Sequence, residues 1–257
     1  MSTATHATTA AAPPAAAYRA RLARGAAALR AAQALRFRVF NLERHEGLAQ
    51  SYATALDADR FDDVCDHLLV DDAASGEVVG TYRLLGGARA AETGGYYGER
   101  EFDFAPYEPL RAQLVELGRA CIDARHRHFG VLNLLWNGIA AYAQRHGARW
   151  LIGCSSLASQ DASVGAAALH LLQPHLAPPP WRTVPRPAFA CAPAAAPLPA
   201  VELPKLLTTY LALGAWVCAP PAIDREFKTI DLLTLLDLRS PRLRALQRRG
   251  HFTGSPC

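Results

Sequence analysis

What this sequence lacks excludes several kinds of protein. Its six cysteines form no CxxC pair, so no zinc ribbon is expected, and unpaired thiols in apolar surroundings fit a reducing compartment. The histidines do not cluster at ligand spacing beyond one HRH triplet, so no metal site is predicted. No GxSxG motif surrounds a serine, which argues against a nucleophile elbow. No internal repeat is present.

Signals for export or membrane insertion are also missing. Residues 1–17 are Ala, Thr, Ser and Pro with one His, without a basic start or a long apolar segment, so they predict a disordered tail and no secretory signal. No stretch reaches the ~20 clean apolar residues of a spanning helix. The expected location is the cytoplasm, and peripheral contact with the inner membrane stays open.

What is present favours a sizeable folded domain. The chain has 257 residues, of which 51% are hydrophobic, enough for one large core. The net charge of +4 comes almost entirely from arginine, and it permits an acidic protein partner or an anionic membrane surface without requiring either. The basic residues are neither dense nor interleaved with aromatics, so nucleic-acid binding is not predicted.

Residues 114–153 predict a strand, a loop, a helix and a second strand. The run Leu114–Ile122 is β-like, apolar residues at helical spacing begin near Val131, Gly147 ends the helix, and a strand begins at Trp150. This order favours a crossover connection between two neighbouring strands. The loop before the helix combines positive charge with the free N–H groups of a helix N-terminus, which suits an anion such as phosphate.

This loop supplies the candidates for binding a phosphate-bearing donor, which are Arg125, Arg127, Phe129 and the backbone at Gly130. An ordinary solvated basic loop is the alternative interpretation.

The first strand of the unit carries Glu116 and Arg119. Glu116 could act as a general base for an amine, directly or through a water. Strict alternation would place the two side chains on opposite faces. Because Gly118 lies between them and tolerates a bulge, we predict a bulge there that brings both side chains toward one cleft. The alternative is a carboxylate that pairs with Arg119 or Arg83.

A second group of candidates precedes this unit and consists of Asp59, Asp62 and Arg83. The two carboxylates could hold a cationic substrate. Equally, they could hold their own loop against Arg83, since buried acids are usually paired.

The remaining elements follow from local pattern. A hairpin is expected around Ser75-Gly76, and a Gly/Tyr-rich excursion over residues 86–104 is expected to lie next to the site. The other predicted elements are helices over Tyr18–Phe40 (one or two segments), Ala162–Leu176, Lys205–Trp216 and Pro241–Arg249, a Pro/Ala-rich connector over residues 177–203, and a strand over Ile230–Leu236.

The order of several motifs resembles a known family. LRFRVF, DADRFDD, GEVVGTYRLL, VELGRACI and LLWNGIAAY are similar to segments of GNAT-type acyltransferases that use acyl carrier protein as donor. Two branches share this skeleton, the acyl-homoserine-lactone synthases and the bacterial L-ornithine Nα-acyltransferases. The second branch is the more similar, through GGYYGEREFDF and a C-terminal segment beginning LPKLLTTYLALGAW. The resemblance covers roughly residues 34–238.

The resemblance implies an α/β fold with a mixed, mostly antiparallel central sheet, helices on both faces and a C-terminal extension. The expected division is a tail (1–17), a GNAT-like core (18–176), the insert (177–203) and the extension (204–257). It also implies transfer of a 3-hydroxyacyl group from acyl carrier protein to the α-amine of L-ornithine, with no tightly bound cofactor. Glu116 and Arg119 would be catalytic, while Asp59, Asp62 and Arg83 would bind substrate.

One departure from the superfamily pattern concerns the donor. The Q/RxxGxG/A loop that wraps a coenzyme A pyrophosphate is poor here, and residues 125–130 keep only positive charge and one glycine. A pantetheine arm has a single phosphate and needs a weaker cradle. Two alternatives remain open: a lactone synthase with S-adenosylmethionine as acceptor, and a non-catalytic module that binds carrier protein or a membrane surface.

Overall fold

The computed structural model describes residues 17–191 and 198–248. The tail predicted for residues 1–17 therefore lies, apart from Ala17, outside the described residues. Eight strands form one sheet in this part of the chain: β1 (Tyr18–Leu22), β2 (Asp66–Asp72), β3 (Val78–Gly86), β4 (Leu114–Ile122), β5 (Trp150–Leu157), β6 (Trp216–Val217), β7 (Ala222–Asp224) and β8 (Thr229–Asp237).

The helices in the same ranges are α1 (Gly25–Phe37), α2 (Ser51–Thr54), α3 (Gly87–Glu92), α4 (Phe129–Arg145), α5 (Ala162–Leu171), α6 (Lys205–Leu213) and α7 (Pro241–Arg248). Short 3-10 turns and one π-helical segment (Arg38–Glu43) connect them. None of the helices in the described ranges combines the length and apolarity needed to cross a bilayer.

The sheet is mixed and mostly antiparallel, which confirms the predicted fold class. Its strand order is β1-β2-β3-β4-β5-β8-β6, and β7 also pairs with β8. Among the described strands, β4 and β5 are the one parallel pair, connected through α4 as the pattern of residues 114–153 predicted. The hairpin predicted around Ser75-Gly76 is also confirmed, since β2 and β3 pair antiparallel.

The two faces of the sheet carry separate layers because alternate residues of each strand point to opposite sides. On one face, here called the α4 face, Leu117 and Leu151 pack with Leu135 of α4 and Leu213 of α6. On the opposite face, the α1 face, Leu69 packs against α1. Further along, the α1 face packs against Tyr96, Phe102 and Phe104 of the Gly/Tyr-rich excursion and against Tyr107, which follows it.

The parallel pair separates soon after it begins. Leu114, Val115 and Glu116 pair with Trp150, Leu151 and Ile152, and no later residue of β4 pairs with β5. Beyond Ile152, β5 continues alongside β8 as far as Leu157. Gly153 lies where the strands part, and a Cβ there would come within 2.3 Å of the carbonyl oxygen of Leu117. The sheet therefore opens into a gap immediately after Glu116.

The bulge predicted near Gly118 is confirmed. On β3, Thr81 pairs with Cys121 and Arg83 pairs with Gly118, so two residues of β3 span three of β4. Arg119 takes up the extra length with a left-handed backbone, at φ +48°. This conformation is uncommon for a residue with a side chain, and such strain is found mainly at functional sites. Because the bulge shifts the alternation by one residue, Arg119 shares the α1 face with Glu116.

Three helix predictions were wrong in extent. The first segment of Tyr18–Phe40 is an edge strand, because pairing with β2 and the ion pair of Arg21 with Asp71 (2.5 Å) override its helical composition. The helix predicted over Lys205–Trp216 ends at Leu213, since Gly214 adopts φ +98°. The helix predicted over Ala162–Leu176 ends at Leu171 and gives way to a 3-10 turn.

The described part of the 177–203 segment contains no strand and only one short 3-10 turn, yet it packs against the sheet. Trp181 lies against Trp150, with ring centroids 5.6 Å apart. The N–H of Thr183 donates to the carbonyl of Cys218 at 2.8 Å. These contacts cover one end of the α1 face.

Candidate active site

A cavity of about 720 Å³ lies at the gap between β4 and β5. This volume falls within the usual range for a small-molecule site. Both layers contribute to its wall. From the α1 face it is lined by Glu116, Arg119, Tyr97, Phe227 and Asp231, and from the α4 side by Phe129, Leu132, Leu135, Lys205 and Leu206. The cavity thus connects the two faces of the sheet through its opening.

Glu116 is held at the edge of the gap by the Gly/Tyr-rich excursion. Its Oε2 accepts from the N–H of Tyr97 at 2.8 Å and its Oε1 from the N–H of Gly98 at 2.7 Å. Burial raises the pKa of Glu116 to about 7, against the lowering effect of these two hydrogen bonds. No ion pair joins Glu116 to Arg83 or Arg119 in the described structure. A carboxylate of this kind is ready to take a proton near neutral pH.

The close approach of the backbone to Glu116 favours a glycine at position 98. A Cβ there would lie 3.1 Å from Oε1 of Glu116 and 3.0 Å from Cζ of Phe104. Both distances are tighter than ordinary carbon contacts. The sequence placed this excursion next to the site, which the structure confirms, but its role in holding Glu116 was not predicted.

Three arginines and three aspartates form a buried ion network beside the cavity. Arg36, fully buried at the end of α1, contacts Asp62 with 2.6 Å between Nη2 and Oδ2, and its Nε lies 3.5 Å from Asp57. Burial by itself would raise the pKa of Asp62, but the guanidiniums of Arg36 and Arg83 hold that pKa well below its ordinary value. Asp62 is therefore an ionised, neutralised carboxylate.

Asp59 joins the two arginines that line the cavity. Arg83 Nη1 lies 2.6 Å from Oδ1 of Asp59, and Arg119 Nη2 lies 3.0 Å from Oδ2. The guanidinium of Arg119 also stacks over the rings of Tyr97 and Phe227, at 4.9 and 4.3 Å from their centroids. Arg119 is thereby fixed in place at the wall of the cavity.

The structure therefore brings together all five predicted residues of the acidic and basic cluster, but only some of them line the cavity. Glu116, Arg83 and Arg119 line the cavity, whereas Asp59 and Asp62 do not. Both aspartates are occupied by guanidiniums. The direct contact of Asp59 and Asp62 with substrate stays a prediction, and their observed contacts are with the arginines.

Of the four residues predicted to bind the donor, two line the cavity and two do not. Arg127 and Phe129 line the cavity, and Phe129 is 67% exposed. Arg125 and Gly130 do not line it, and Arg125 pairs with Asp123 and Glu77 at the surface. Sequence reasoning missed Lys205, which lines the cavity at the start of α6 and has no ion pair within the described ranges. The sequence does show that Lys205 lies at the start of a helix, because it directly follows Pro204.

A second carboxylate group was also missed. Glu101, Cys154 and Asp231 each present an atom within 4.8 Å of the other two, on the α1 face beside the cavity. No pattern in the sequence connects them, because Glu101 follows a 3-10 turn and the other two residues lie on separate strands.

Comparison with known proteins places this site in a family context. The family model described as an acetyltransferase (GNAT) domain matches residues 35–137. The L-ornithine N(alpha)-acyltransferase of Rhodobacter capsulatus is 36% identical over 235 residues, covering 87% of this chain and 91% of the relative. The protein of the same name from Brucella abortus is 35% identical, covering 85% and 83%.

Solved structures support the fold. The acyl-homoserine-lactone (AHL) synthase LasI superposes with a TM-score of 0.51 at 15% identity, covering 89% of this chain and 94% of its own. FeeM, an N-acyl amino acid synthase from uncultured soil microbes, gives a TM-score of 0.50 at 15% identity, covering 89% and 93%. At these identities the likeness concerns the fold alone.

The buried ion network predicts a large effect of a single substitution. Arg36→Met should lower the free energy of unfolding by about 3–5 kcal/mol, because it leaves buried carboxylates without their counter-charge. Arg38→Met is the matched control: Arg38 is exposed, contacts Asp123 at 3.8 Å, and should change stability by at most about 1 kcal/mol. Denaturant unfolding of both variants measures the difference, and equal midpoints would contradict the assigned role of Arg36.

Proposed function

Since this chain belongs to the L-ornithine N(alpha)-acyltransferase family, within the GNAT acyltransferases, we propose that it transfers an acyl group from acyl carrier protein to the α-amine of L-ornithine. The donor is a 3-hydroxyacyl thioester and the product is an amide, the lyso form of ornithine lipid. The single observation that carries the proposal is Glu116: a buried carboxylate with a pKa of about 7, placed where the sheet opens and the cavity joins both faces.

The acceptor amine enters from the α1 face in this proposal. Glu116 removes a proton as the amine nitrogen attacks the thioester carbonyl, so that the C–N bond forms while the proton passes to the carboxylate. The C–S bond then breaks, and the proton held by Glu116 is available to the departing thiolate. Backbone N–H groups of β4 beyond Glu116, which have no partner in β5, are suited to stabilise the oxyanion.

The positive wall of the cavity suits the carboxylate of the amino acid. Arg119 and Arg83 are both buried and fixed by Asp59, so they offer positive charge without reorganisation. In this proposal Asp59 and Asp62 act on the substrate by positioning the arginines.

The donor arm enters from the α4 side. Phe129, Leu132 and Leu135 provide an apolar wall, and Lys205 supplies positive charge at its edge beside Arg127, whose guanidinium is paired with Glu43. A pantetheine arm has one phosphate, and one or two cations match it better than a long pyrophosphate loop would. Acidic carrier proteins also complement the charge of Lys205, which is exposed and unpaired among the described residues.

The first test combines purified protein, 3-hydroxyacyl carrier protein and L-ornithine, with mass spectrometry for the amide and thiol release for the rate. Glu116→Gln should lower kcat by about 10²–10⁴-fold because the general base is lost. Thiol release only with S-adenosylmethionine would move the chain to the lactone synthases. No release with either amine would favour the binding module.

The pH profile of kcat tests the role of Glu116 separately. The base acts when it is deprotonated, so kcat should fall as the pH drops through the pKa of about 7 and reach a plateau above it. The residual activity of Glu116→Gln should lack this limb. A wild-type profile that is flat between pH 6 and 8 would contradict the assignment.

A smaller change tests the support of Glu116 by the backbone. Gly98→Ala places a Cβ against Oε1, displaces the carboxylate by a few tenths of an ångström, and should lower kcat by about 10- to 100-fold with the fold retained. Gly86→Ala is the control, since its Cβ would meet only the Tyr142 hydroxyl, at 4.0 Å. Equal activity of the two variants would count against this role.

The donor side is tested by Lys205. Lys205→Ala should raise the KM for the acyl carrier protein by about 10-fold, because one charge-assisted hydrogen bond to the phosphate is lost, and should leave the KM for ornithine unchanged. Arg125→Ala removes a charge outside the cavity and should change both constants less than about twofold. A donor KM that responds to Arg125 instead of Lys205 would relocate the phosphate.

A further inference from the structure

The carboxylates of Glu101 and Asp231 lie side by side beneath the α1 face of the cavity. Glu101 is 1% exposed and Asp231 is 4% exposed. Asp231 and Cys154 line the cavity, whereas Glu101 does not line it and reaches it through these two residues, with Oε2 of Glu101 3.8 Å from the Cys154 thiol. Two buried carboxylates at this distance repel one another unless a cation or a shared proton lies between them.

No cationic side chain of the described residues forms an ion pair with this pair. Arg119, on the same face, is committed to Asp57 and Asp59. In addition, the Oδ1 atom of Asp231 is buried and accepts no hydrogen bond, although the hydroxyls of Ser156 and Thr229 lie near this carboxylate. A buried acceptor left without a donor is uncommon in a folded protein, because it costs the full desolvation of that atom. Asp231 itself lines a cavity large enough for a ligand.

The other charged groups near the pair do not neutralise it. Asp224 is a third buried carboxylate, occupied by the N–H groups of Glu226 and Phe227 and by the Tyr97 hydroxyl. Glu46 is a fourth, and its nearest cation is Arg44 at 3.7 Å. Beyond the ion network of Asp57, Asp59 and Asp62, the described residues on the α1 side of the cavity therefore include three carboxyl groups without an ion pair, those of Glu101, Asp224 and Asp231.

We propose that Glu101 and Asp231 bind the side-chain ammonium of the amino acid acceptor and thereby select a diamino acid over a neutral one. The inference rests on the proposed function, since it assigns the acceptor subsite of the same reaction. It places the selecting carboxylates at Glu101 and Asp231 instead of Asp59 and Asp62, whose charges are met by arginine.

Glu116 and Asp231 lie on the two strands that flank β5. Ile152 lies opposite Glu116, and Ser156 lies opposite Asp231. These two positions of β5 are four residues apart, roughly 13 Å at the usual rise of a strand, and two interstrand spacings of about 4.8 Å separate the residues further. Both side chains nevertheless line the same cavity. In this proposal the α-amine meets Glu116 while the far ammonium meets Asp231.

The side chains of this group hold protons more strongly than usual. Burial and the neighbouring Glu101 raise the pKa of the Cys154 thiol well above its ordinary value. Burial and mutual repulsion also raise the pKa of Glu101 and of Asp231. A shared proton relieves the repulsion of the empty pair, and an ammonium with three N–H donors can replace that proton.

The test compares L-ornithine with L-norvaline, which has the same carbon chain and no side-chain ammonium. For wild type, kcat/KM should strongly favour ornithine. Asp231→Asn and Glu101→Gln should each lower kcat/KM for ornithine by about 10- to 100-fold and leave the value for norvaline within twofold, because only the ammonium loses its partner. The ornithine-to-norvaline ratio should therefore collapse in both variants.

Asp237→Asn is the matched control. Asp237 is on the same strand and on the same face as Asp231, but it is paired with Arg149 at 2.6 Å and lies outside the cavity. This variant should keep the wild-type ratio. Thermal unfolding of all three variants identifies any loss of fold. Because isosteric changes are made at two positions, the test does not depend on a single variant being folded.

Two outcomes would overturn the inference. A ratio that stays at the wild-type value in both variants, or equal losses with both amino acids, would make the pair structural. Loss of ornithine preference on treatment with EDTA, restored by Mg²⁺, would assign the pair to a metal ion.

Calorimetric binding of L-ornithine separates this inference from the proposed function. If wild type acylates neither amino acid, the proposed function fails. The assignment of Glu101 and Asp231 to the ammonium is still supported in that case if wild type binds ornithine and Asp231→Asn does not. It is overturned if both proteins bind ornithine equally.

Discussion

The separation of β4 from β5 after Glu116 is the constraint on which the rest of this structure depends. Three residue pairs hold the parallel strands together, and the strands then diverge. The opening lets one cavity touch both faces of the sheet, so that a donor and an acceptor can meet from opposite sides. It also leaves Glu116 at the boundary, where burial raises its pKa toward neutrality while two backbone N–H groups hold its position. If β4 and β5 were paired along their whole length, no cavity would join the two faces and Glu116 would not lie at its wall.

The acids near the cavity divide into two groups with different physical states. Asp57, Asp59 and Asp62 face Arg36, Arg83 and Arg119, so their charges are balanced within the protein. Glu101 and Asp231 have no such partners among the described residues, and one oxygen of Asp231 accepts nothing. Balanced buried charges give rigidity, because moving any member exposes another. Unbalanced ones leave binding energy available to a ligand of the opposite sign.

Much of the fold could be predicted from local pattern. Hydrophobic periodicity and turn residues predict the strand Leu114–Ile122, the β2–β3 hairpin and the helix after the basic loop. The bulge was also predictable, because strict alternation would place the side chains of Glu116 and Arg119 on opposite faces. The first strand could not be predicted, because its alanines and arginines favour a helix and only pairing with β2 overrides them. The family followed from the order of motifs over most of the chain. The Glu101–Asp231 pair could not be predicted, since pairing of distant strands creates it.

The position of β8 has a consequence for how the protein is made. This strand comes from the last part of the chain, yet it lies inside the sheet between β5 and β6 and contributes Asp231 to the cavity wall. During synthesis, β5 leaves the ribosome long before its partner exists, and one of its edges stays unpaired until β8 arrives. Contacts between residues so distant in sequence form slowly, and an unpaired strand edge invites aggregation. A chain interrupted before β8 would therefore lose solubility together with the acceptor side of its site.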